Sequence, residues 1–375
     1  MTVLGIDLGT TTSCAYKCEQ DRVPRHVDML GTRTIPSLVG YSDGMMYICH
    51  SAEFLQEEDH RGVAREFKRL MGRSYSIDDA QMYREKFPYH IEKSAAGDGC
   101  CVVLNGKHFT PQELSSFILK RIKDRAECIT MTEIDDAVIT VPAYFTSIIA
   151  GLKFVRVLEE PVAAAIAYLH DNPELNKEGN IFLVFDLGGG SFDISLIRMK
   201  ENTHTVLATD GDTELCGTDF DELLFQYCLD EAEEQFGPEI LHNGHFISTL
   251  RCKCEKAKVM LDSEECVEIR FMTPGFRDEY STIISRSDFE QMCAEKFNQC
   301  MQRVDNLLKR TELTAGVVQS VLLVGGSTRI PKIQQMLREK FGNSKVVLHT
   351  KVDEVVAKGA CLMLTSPSIR LRVSD

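Results

Sequence analysis

Two stretches of this sequence place an aspartate just ahead of glycines and hydroxyl residues, between apolar runs. VLGIDLGTTTSCAY, Val3 to Tyr16, sets Asp7, Gly9, Thr10, Thr11 and Thr12 in that order. LVFDLGGGSFDISL, Leu183 to Leu196, repeats it with Asp186, Gly188, Gly189, Gly190 and Ser191. Glycine weakens a strand, so three in a row imply that something approaches the backbone too closely for a side chain. Phosphate is one such group, because glycines let main-chain N–H groups reach its oxygens and hydroxyls add donors. A carboxylate beside polyphosphate is repelled unless hydrated Mg²⁺ stands between them, and that ion typically takes only one or two carboxylates, which suits Asp7 and Asp186. The plainer reading is an ordinary hairpin turn, where Asp and Gly are common. It accounts for one motif but leaves the repetition unexplained.

A third glycine element, VLLVGGSTRIPKIQQML, runs from Val321 to Leu337. Apolar residues make a buried strand, Gly325 and Gly326 turn the chain, and Pro331 suits the first turn of a helix that Gly342 stops. Such a junction points free N–H groups toward a ligand; a simple tight turn is the alternative.

The elements that must position these residues read as an α/β chain, with strands alternating with helices. The repeated motif in each half implies two related lobes facing each other, each motif a β-hairpin. Thr110 with Glu113, and Ser287 with Glu290, read as capping boxes before amphipathic runs. In the second run, Phe289, Met292, Cys293, Phe297, Met301, Val304 and Leu308 read as a core stripe.

At 375 residues, 43% hydrophobic and 26% charged, the chain has room for two lobes with sizeable cores. A formal charge of −14 argues against nucleic acid or an acidic membrane as partner. No apolar run approaches the ~20 residues that span a bilayer. The N-terminus enters a strand-like pattern at once, without a basic segment and apolar signal core. The 14 cysteines are scattered, which reads as reduced thiols in a cytoplasmic protein. Neither they nor the 10 histidines carry a metal-binding spacing.

Taken together, the three glycine elements resemble the nucleotide-binding domain of the seventy-kilodalton heat-shock chaperones, members of the actin and hexokinase superfamily. REFKRLMGR (Arg65 to Arg73), DAVITVPAYF (Asp136 to Phe145), EEPVAAAIAY (Glu159 to Tyr168) and GDTELCGTDFDELL (Gly211 to Leu224) match in the same order, up to about Leu364. The resemblance implies a two-lobed, ribonuclease H-like ATPase fold. Lobe I would span 1–175, with an outer subdomain at about 37–108. Lobe II would span 176–349, its outer subdomain at about 216–294. Residues 350–375 would form a helix returning to lobe I, plus a tail.

The resemblance also assigns roles. Asp7 and Asp186 would hold the water shell of Mg²⁺, with Thr10, Thr11 and Gly188 to Gly190 around the phosphates of ATP or ADP. Lys68 would contact the γ-phosphate and help place the attacking water, with Glu160 beside them. Glu255 and Lys258 would reach the ribose. Gly326, Ser327 and Arg329 would contact the adenosine side, and Asp353 would line the cleft. Without the family, Lys68 reads as part of a solvated helix face, Glu255 and Lys258 as a surface pair, and Glu160 as a helix cap.

Three departures bear on function. Val259 stands where the family has an arginine stacked on the base, and Asp262 where it has a serine; Ser191 replaces a threonine. Only Thr146 to Ile149 separate Phe145 from Ala150, where the family carries most of a helix. A parallel crossover needs about a dozen residues or more, so the first lobe's sheet is expected to lose part of its cover. The chain ends on SPSIRLRVSD, where the family continues into a peptide-gripping β-sandwich, so no intrinsic peptide-binding domain is expected. The expected function is slow, Mg-dependent ATP hydrolysis in a chaperone-type domain read by J-domain co-chaperones and nucleotide exchange factors. A pseudo-ATPase that occupies chaperone partners and a sugar kinase are the rivals.

Overall fold

The computed structural model describes residues 2–19, 21–58, 60–76, 83, 87–95, 97–141, 154–175, 177–200, 203–273, 279–348, 351–365 and 370–373. Two sheets carry the fold, and they are built alike. In the first, β1 (Val3–Leu8), β2 (Thr12–Cys18) and β3 (Pro24–His26) run antiparallel in succession. On the other side of β1, β4 (Asp136–Val141) pairs in parallel, and β5 (Phe154–Glu159) pairs in parallel with β4. The second sheet repeats this with β6 (Ile181–Leu187), β7 (Phe192–Lys200) and β8 (Thr203–Asp212) antiparallel, β9 (Val318–Val324) parallel to β6, and β10 (Val346–Leu348) parallel to β9. The repeat seen in two short motifs thus extends through a whole five-strand pattern. The second sheet adds β11 (Arg370–Val373), part of the sequence read only as a tail, which pairs in parallel with β8.

Among the described residues, the helices longer than ten residues are α1 (Pro111–Thr130), α2 (Glu160–Asp171), α3 (Gly217–Phe236), α4 (Gly244–Met260), α5 (Ala294–Arg310), α6 (Pro331–Phe341) and α7 (Val355–Thr365). Thr110 and Glu113 form the expected capping box ahead of α1. Through Leu114, Ile118 and Ile122 that helix packs into one core with Leu4, Ile6 and Ile139 of the first sheet. In the second lobe Phe220, Phe297, Val304 and Ile333 share a core with Leu183 and Phe185. Strand β6 is buried at all its positions, as a central strand covered on both faces should be.

The expected cap at Ser287 is corrected. The helix begins at Arg286, and Ser285 accepts from the Asp288 amide at 3.1 Å. Cys293 then separates it from α5. The stripe expected there is core: Phe289, Cys293, Phe297, Val304 and Leu308 are buried, and Met292 and Met301 pack against them.

Helices α2 and α7 join the lobes. One core cluster holds Val138 and Leu158 of the first sheet, Phe182, Val184, Leu322 and Val324 of the second, and the buried faces of both helices. The alanines of VAAAIAY let α7 lie directly on α2. A Cβ at Gly359 would stand 1.8 Å from the Ala163 carbonyl oxygen, and one at Gly5 would stand 2.2 Å from the Cys361 amide nitrogen.

The short crossover between β4 and β5, Pro142 to Lys153, lies outside the described residues. Its counterpart in lobe II, between Val324 and Val346, contains all of α6. On β5, Val157 is 44% exposed.

The helix crossing generates a prediction. Gly359→Ala should cost roughly 1–3 kcal/mol by overpacking, read as a lower urea midpoint with an unchanged slope. Gly97→Ala, where an added Cβ meets nothing within 4 Å, should leave the midpoint nearly unmoved. Equal midpoints for the two variants would contradict the close crossing.

Candidate functional site

The two glycine hairpins meet. A Cβ at Gly190 would stand 2.1 Å from Thr10 Cγ2, and one at Gly189 would stand 2.3 Å from Thr11 Cγ2. The nearest reason for these glycines is therefore the other loop, whose threonines sit where side chains would be. The first turn is braced by Ser37, whose hydroxyl donates to Gly9 O at 2.8 Å and whose amide donates to Thr11 O at 2.7 Å. Together with Gly9, Thr12, Gly188, Ser191, Gly325, Gly326 and Asp353, the loops line one cleft that also receives Asp7, Lys68, Glu160 and Asp186.

Lys68 is the only cationic side chain lining that cleft among the described residues. It sits on a 3-10 turn, Phe67–Leu70, anchored by buried Phe67 and Leu70, with Glu66 ahead of it in the left-handed region. This turn carries Lys68 inward: its side chain is 9% exposed, and Nζ donates to Glu160 Oε1 at 3.0 Å and to the Leu8 carbonyl. It is no part of a solvated helix face. Glu160 is the first residue of α2 rather than its cap, which is Glu159.

The aspartates stand at the strand ends. Asp7 accepts from the Thr140 hydroxyl at 3.1 Å. Across the second hairpin Asp186 faces Asp193. Burial pushes Asp7 up to about 7, with Glu160 adding to the rise and Lys68 and Thr140 opposing it. Burial likewise holds Asp186 well above the usual carboxylate range, with Glu160, Asp193 and Asp7 adding. Burial and then Glu160 push Asp193 up to about 6, opposed by a hydrogen bond from Ser191. One lysine does not balance these carboxylates, so the site favours a further cation. A half-buried Asp7 and a buried Asp186 flanking glycine loops form a donor set that fits a hydrated Mg²⁺.

The residues assigned to the nucleoside end lie on the second lobe. Ser327 Oγ donates to Gly188 O at 3.2 Å, tying the third glycine element to the second loop. Lys258 is buried on α4 and donates to Asp221 Oδ2 at 2.7 Å and Gly217 O at 3.0 Å. Burial opposes its charge, but Asp221, with smaller help from Glu255, more than offsets this and holds Lys258 above the usual lysine range. It is therefore not half of a surface pair, whereas Glu255, one turn away, is exposed. Arg329 donates to Asp353 Oδ2 at 2.7 Å. Burial pushes Asp262 up to about 6, with Arg329, Lys258 and Arg286 pulling the other way. Val259 is 59% exposed.

Sequence reasoning missed three participants. Asp193 was visible in the second motif, but its meeting with Asp186 depends on hairpin register. Thr140 lies one strand over from Asp7 and becomes its partner through parallel pairing. Arg69, next to Lys68, crosses to lobe II. Its guanidinium donates to Thr218 Oγ1 at 3.1 Å and Thr213 O at 2.6 Å, and it also contacts Glu66, Cys216 and Asp219.

The sequence profile of a family described as Hsp70 protein matches residues 3–368. The chain is 36% identical to heat shock cognate 70 kDa protein 3 of Dictyostelium discoideum, over 96% of this chain and 60% of that relative. It is 35% identical to heat shock 70 kDa protein 2 of Paracoccidioides lutzii, over 96% and 56% respectively. The heat shock 70 kDa protein of Neurospora crassa matches at 35%, over 96% and 57%. The chain thus spans little more than half the length of these relatives. No described helix is long and apolar enough to cross a membrane.

The raised carboxylates carry a pH prediction for the nucleotide-free chain. A folded pKa above the unfolded one contributes stability below pH ~4 that is lost as pH rises through the folded value. For Asp7 that window runs from about 4 to about 7. Asp7→Asn should therefore match the parent near pH 4 and be more stable at pH 8, by at most about 4 kcal/mol. Denaturant melts at both pH values check this; a variant less stable at pH 8 contradicts it.

Proposed function

Because this chain belongs to the Hsp70 family, we propose that its cleft binds ATP or ADP with Mg²⁺ and hydrolyses ATP slowly. The observation that supports this most is the meeting of two sequence-distant glycine hairpins over the aspartates, with a single lysine lining the cleft. That is an arrangement for anionic phosphate brought in with its own cation.

In this reading Asp7 and Asp186 hold the ion through its waters. Bound Mg²⁺ would neutralise phosphate charge and orient the β- and γ-oxygens. Main-chain N–H groups of Gly9, Gly189 and Gly190 and the hydroxyls of Thr10, Thr11, Thr12 and Ser191 donate to phosphate oxygens, while the Gly188 amide closes the turn on Ser191 O at 3.0 Å. Lys68 brings its charge to the γ-phosphate, and Glu160, already its partner, orients the attacking water. Such catalysis rests on positioning and electrostatics rather than on covalent chemistry. Gly325, Gly326, Ser327 and Arg329 face the adenosine. Glu255 and Lys258 serve the ribose, and Asp262 and Asp353 border the base and cleft. Lobe rotation about α2 and α7 would carry the signal to J-domain proteins and exchange factors in the cytoplasm.

One observation favours a second reading, a pseudo-ATPase that regulates chaperone partners. Val259 is largely exposed where the family's arginine would stack on the base, a contact worth on the order of 1 kcal/mol. Weaker nucleotide retention follows under either reading.

Single-turnover hydrolysis of radiolabelled ATP separates the two. The parent chain should release phosphate in a Mg-dependent burst that Lys68→Ala reduces by at least ~100-fold while the variant still binds ADP. A parent chain that binds nucleotide but releases no phosphate would replace the ATPase reading with the pseudo-ATPase.

A further inference from the structure

The 14 cysteines are thiols in this structure, and two of them meet at the base of the first lobe. Cys18, the last residue of β2, and Cys361, in the middle of α7, have sulfurs 2.8 Å apart, Cys361 donating. Both residues are 0% exposed and share a small core with Cys14, Tyr16 and Ala357. Neither partner has room to withdraw. Helix α7 lies on β1 so closely that the Cys361 amide occupies the space beside Gly5, and α7 is held from the other side by α2 at Gly359. A disulfide needs sulfurs at about 2.05 Å, so bond formation brings the two sulfurs closer by less than about 1 Å.

We propose that Cys18 and Cys361 are a redox-sensitive clip, a reversible disulfide site fastening α7 to the β1–β2 hairpin. With a peroxide as oxidant, one thiolate attacks a peroxide oxygen, forming a sulfenic acid and releasing water. The second sulfur then attacks the sulfenic sulfur, the S–S bond forms and a second water leaves. The two sulfurs lose two electrons in total, and the peroxide is reduced to two waters. A dithiol reverses the bond. Burial pushes the Cys361 thiol far above its ordinary range, so reaction proceeds through transient openings and is slow and faster at alkaline pH. The bond joins residues 343 positions apart, a span over which a cross-link strongly restricts the unfolded chain. It fastens the strand that starts at the first glycine loop to the helix whose Val356 lines the cleft.

The experiment treats the folded full chain with hydrogen peroxide at pH 8, blocks residual thiols, and maps disulfides by non-reducing mass spectrometry. The exposed Cys128 and Cys266 report that the oxidant acted. A Cys18–Cys361 peptide pair is expected, with a thermal midpoint raised by roughly 5 °C or more and restored by dithiothreitol. The rise should be absent in Cys18→Ala and Cys361→Ala. If either variant fails to fold, the peptide map of the parent chain decides alone. Modified Cys128 and Cys266 without a Cys18–Cys361 pair would overturn the clip. So would a map showing only Cys228 joined to Cys254, whose thiols also face each other.

Discussion

The crowding of carboxyl groups at the bottom of one cleft is the constraint on which the rest of this structure depends. Asp7, Glu160 and Asp186 line the cleft with Lys68 as their only cationic neighbour there among the described residues, and Asp193 stands behind Asp186. Withdrawing carboxylates from water beside one another is costly, and it raises Asp7, Asp186 and Asp193 despite the hydrogen bonds that Thr140 and Ser191 donate to the first and last. Crowded carboxylates beside glycine loops suit the proposed ligand, which carries phosphate and a divalent cation together.

Holding that charge in place requires rigid supports from both halves of the chain. The duplicated sheet supplies them, since each central hairpin ends in an aspartate followed by a glycine turn. The hairpins are not equivalent. Opposite Asp7 stands Cys14, while opposite Asp186 stands Asp193, so the second hairpin carries one more carboxyl group than the first. Arg69 spans the cleft mouth to the N-terminus of α3, whose Gly217 and Thr218 amides donate to Gly188 and Gly189 carbonyls at 2.9 Å. The contact between Arg69 and lobe II and the shape of the second loop are therefore linked through one short segment.

Much of this was legible in the sequence for identifiable reasons. Asp, Gly and hydroxyl order specifies a hairpin locally, and the strand–Gly–Gly–Pro pattern near Val321 specifies a strand followed by a helix; both depend on neighbours within a few residues. What escaped depends on distant ones. Without the family resemblance Lys68 read as solvated, because nothing local reveals that Glu66 takes a left-handed backbone ahead of the turn that carries Lys68. Without that resemblance Lys258 read as a partner of Glu255, because its hydrogen-bond partner Asp221 belongs to another helix. Ser287 and Ser285 both offer a hydroxyl three residues before an acidic residue, and only the strand ending at Ser285 decides between them. The glycine triplet was read as room for phosphate; that Gly189 and Gly190 also make room for Thr11 and Thr10 is a contact invisible without the facing lobe.

The central claim is that the buried charge awaits a nucleotide together with its cation. The most direct measurement is thermal unfolding of the purified chain with ADP plus Mg²⁺, with ADP plus a chelator, and with Mg²⁺ alone. A ligand that binds only the folded state adds about 2.7 kcal/mol at a hundredfold excess over its Kd. The account predicts a clear rise in midpoint for ADP with Mg²⁺ and a much smaller one for either component alone. A cooperative transition that none of the three moves would contradict it.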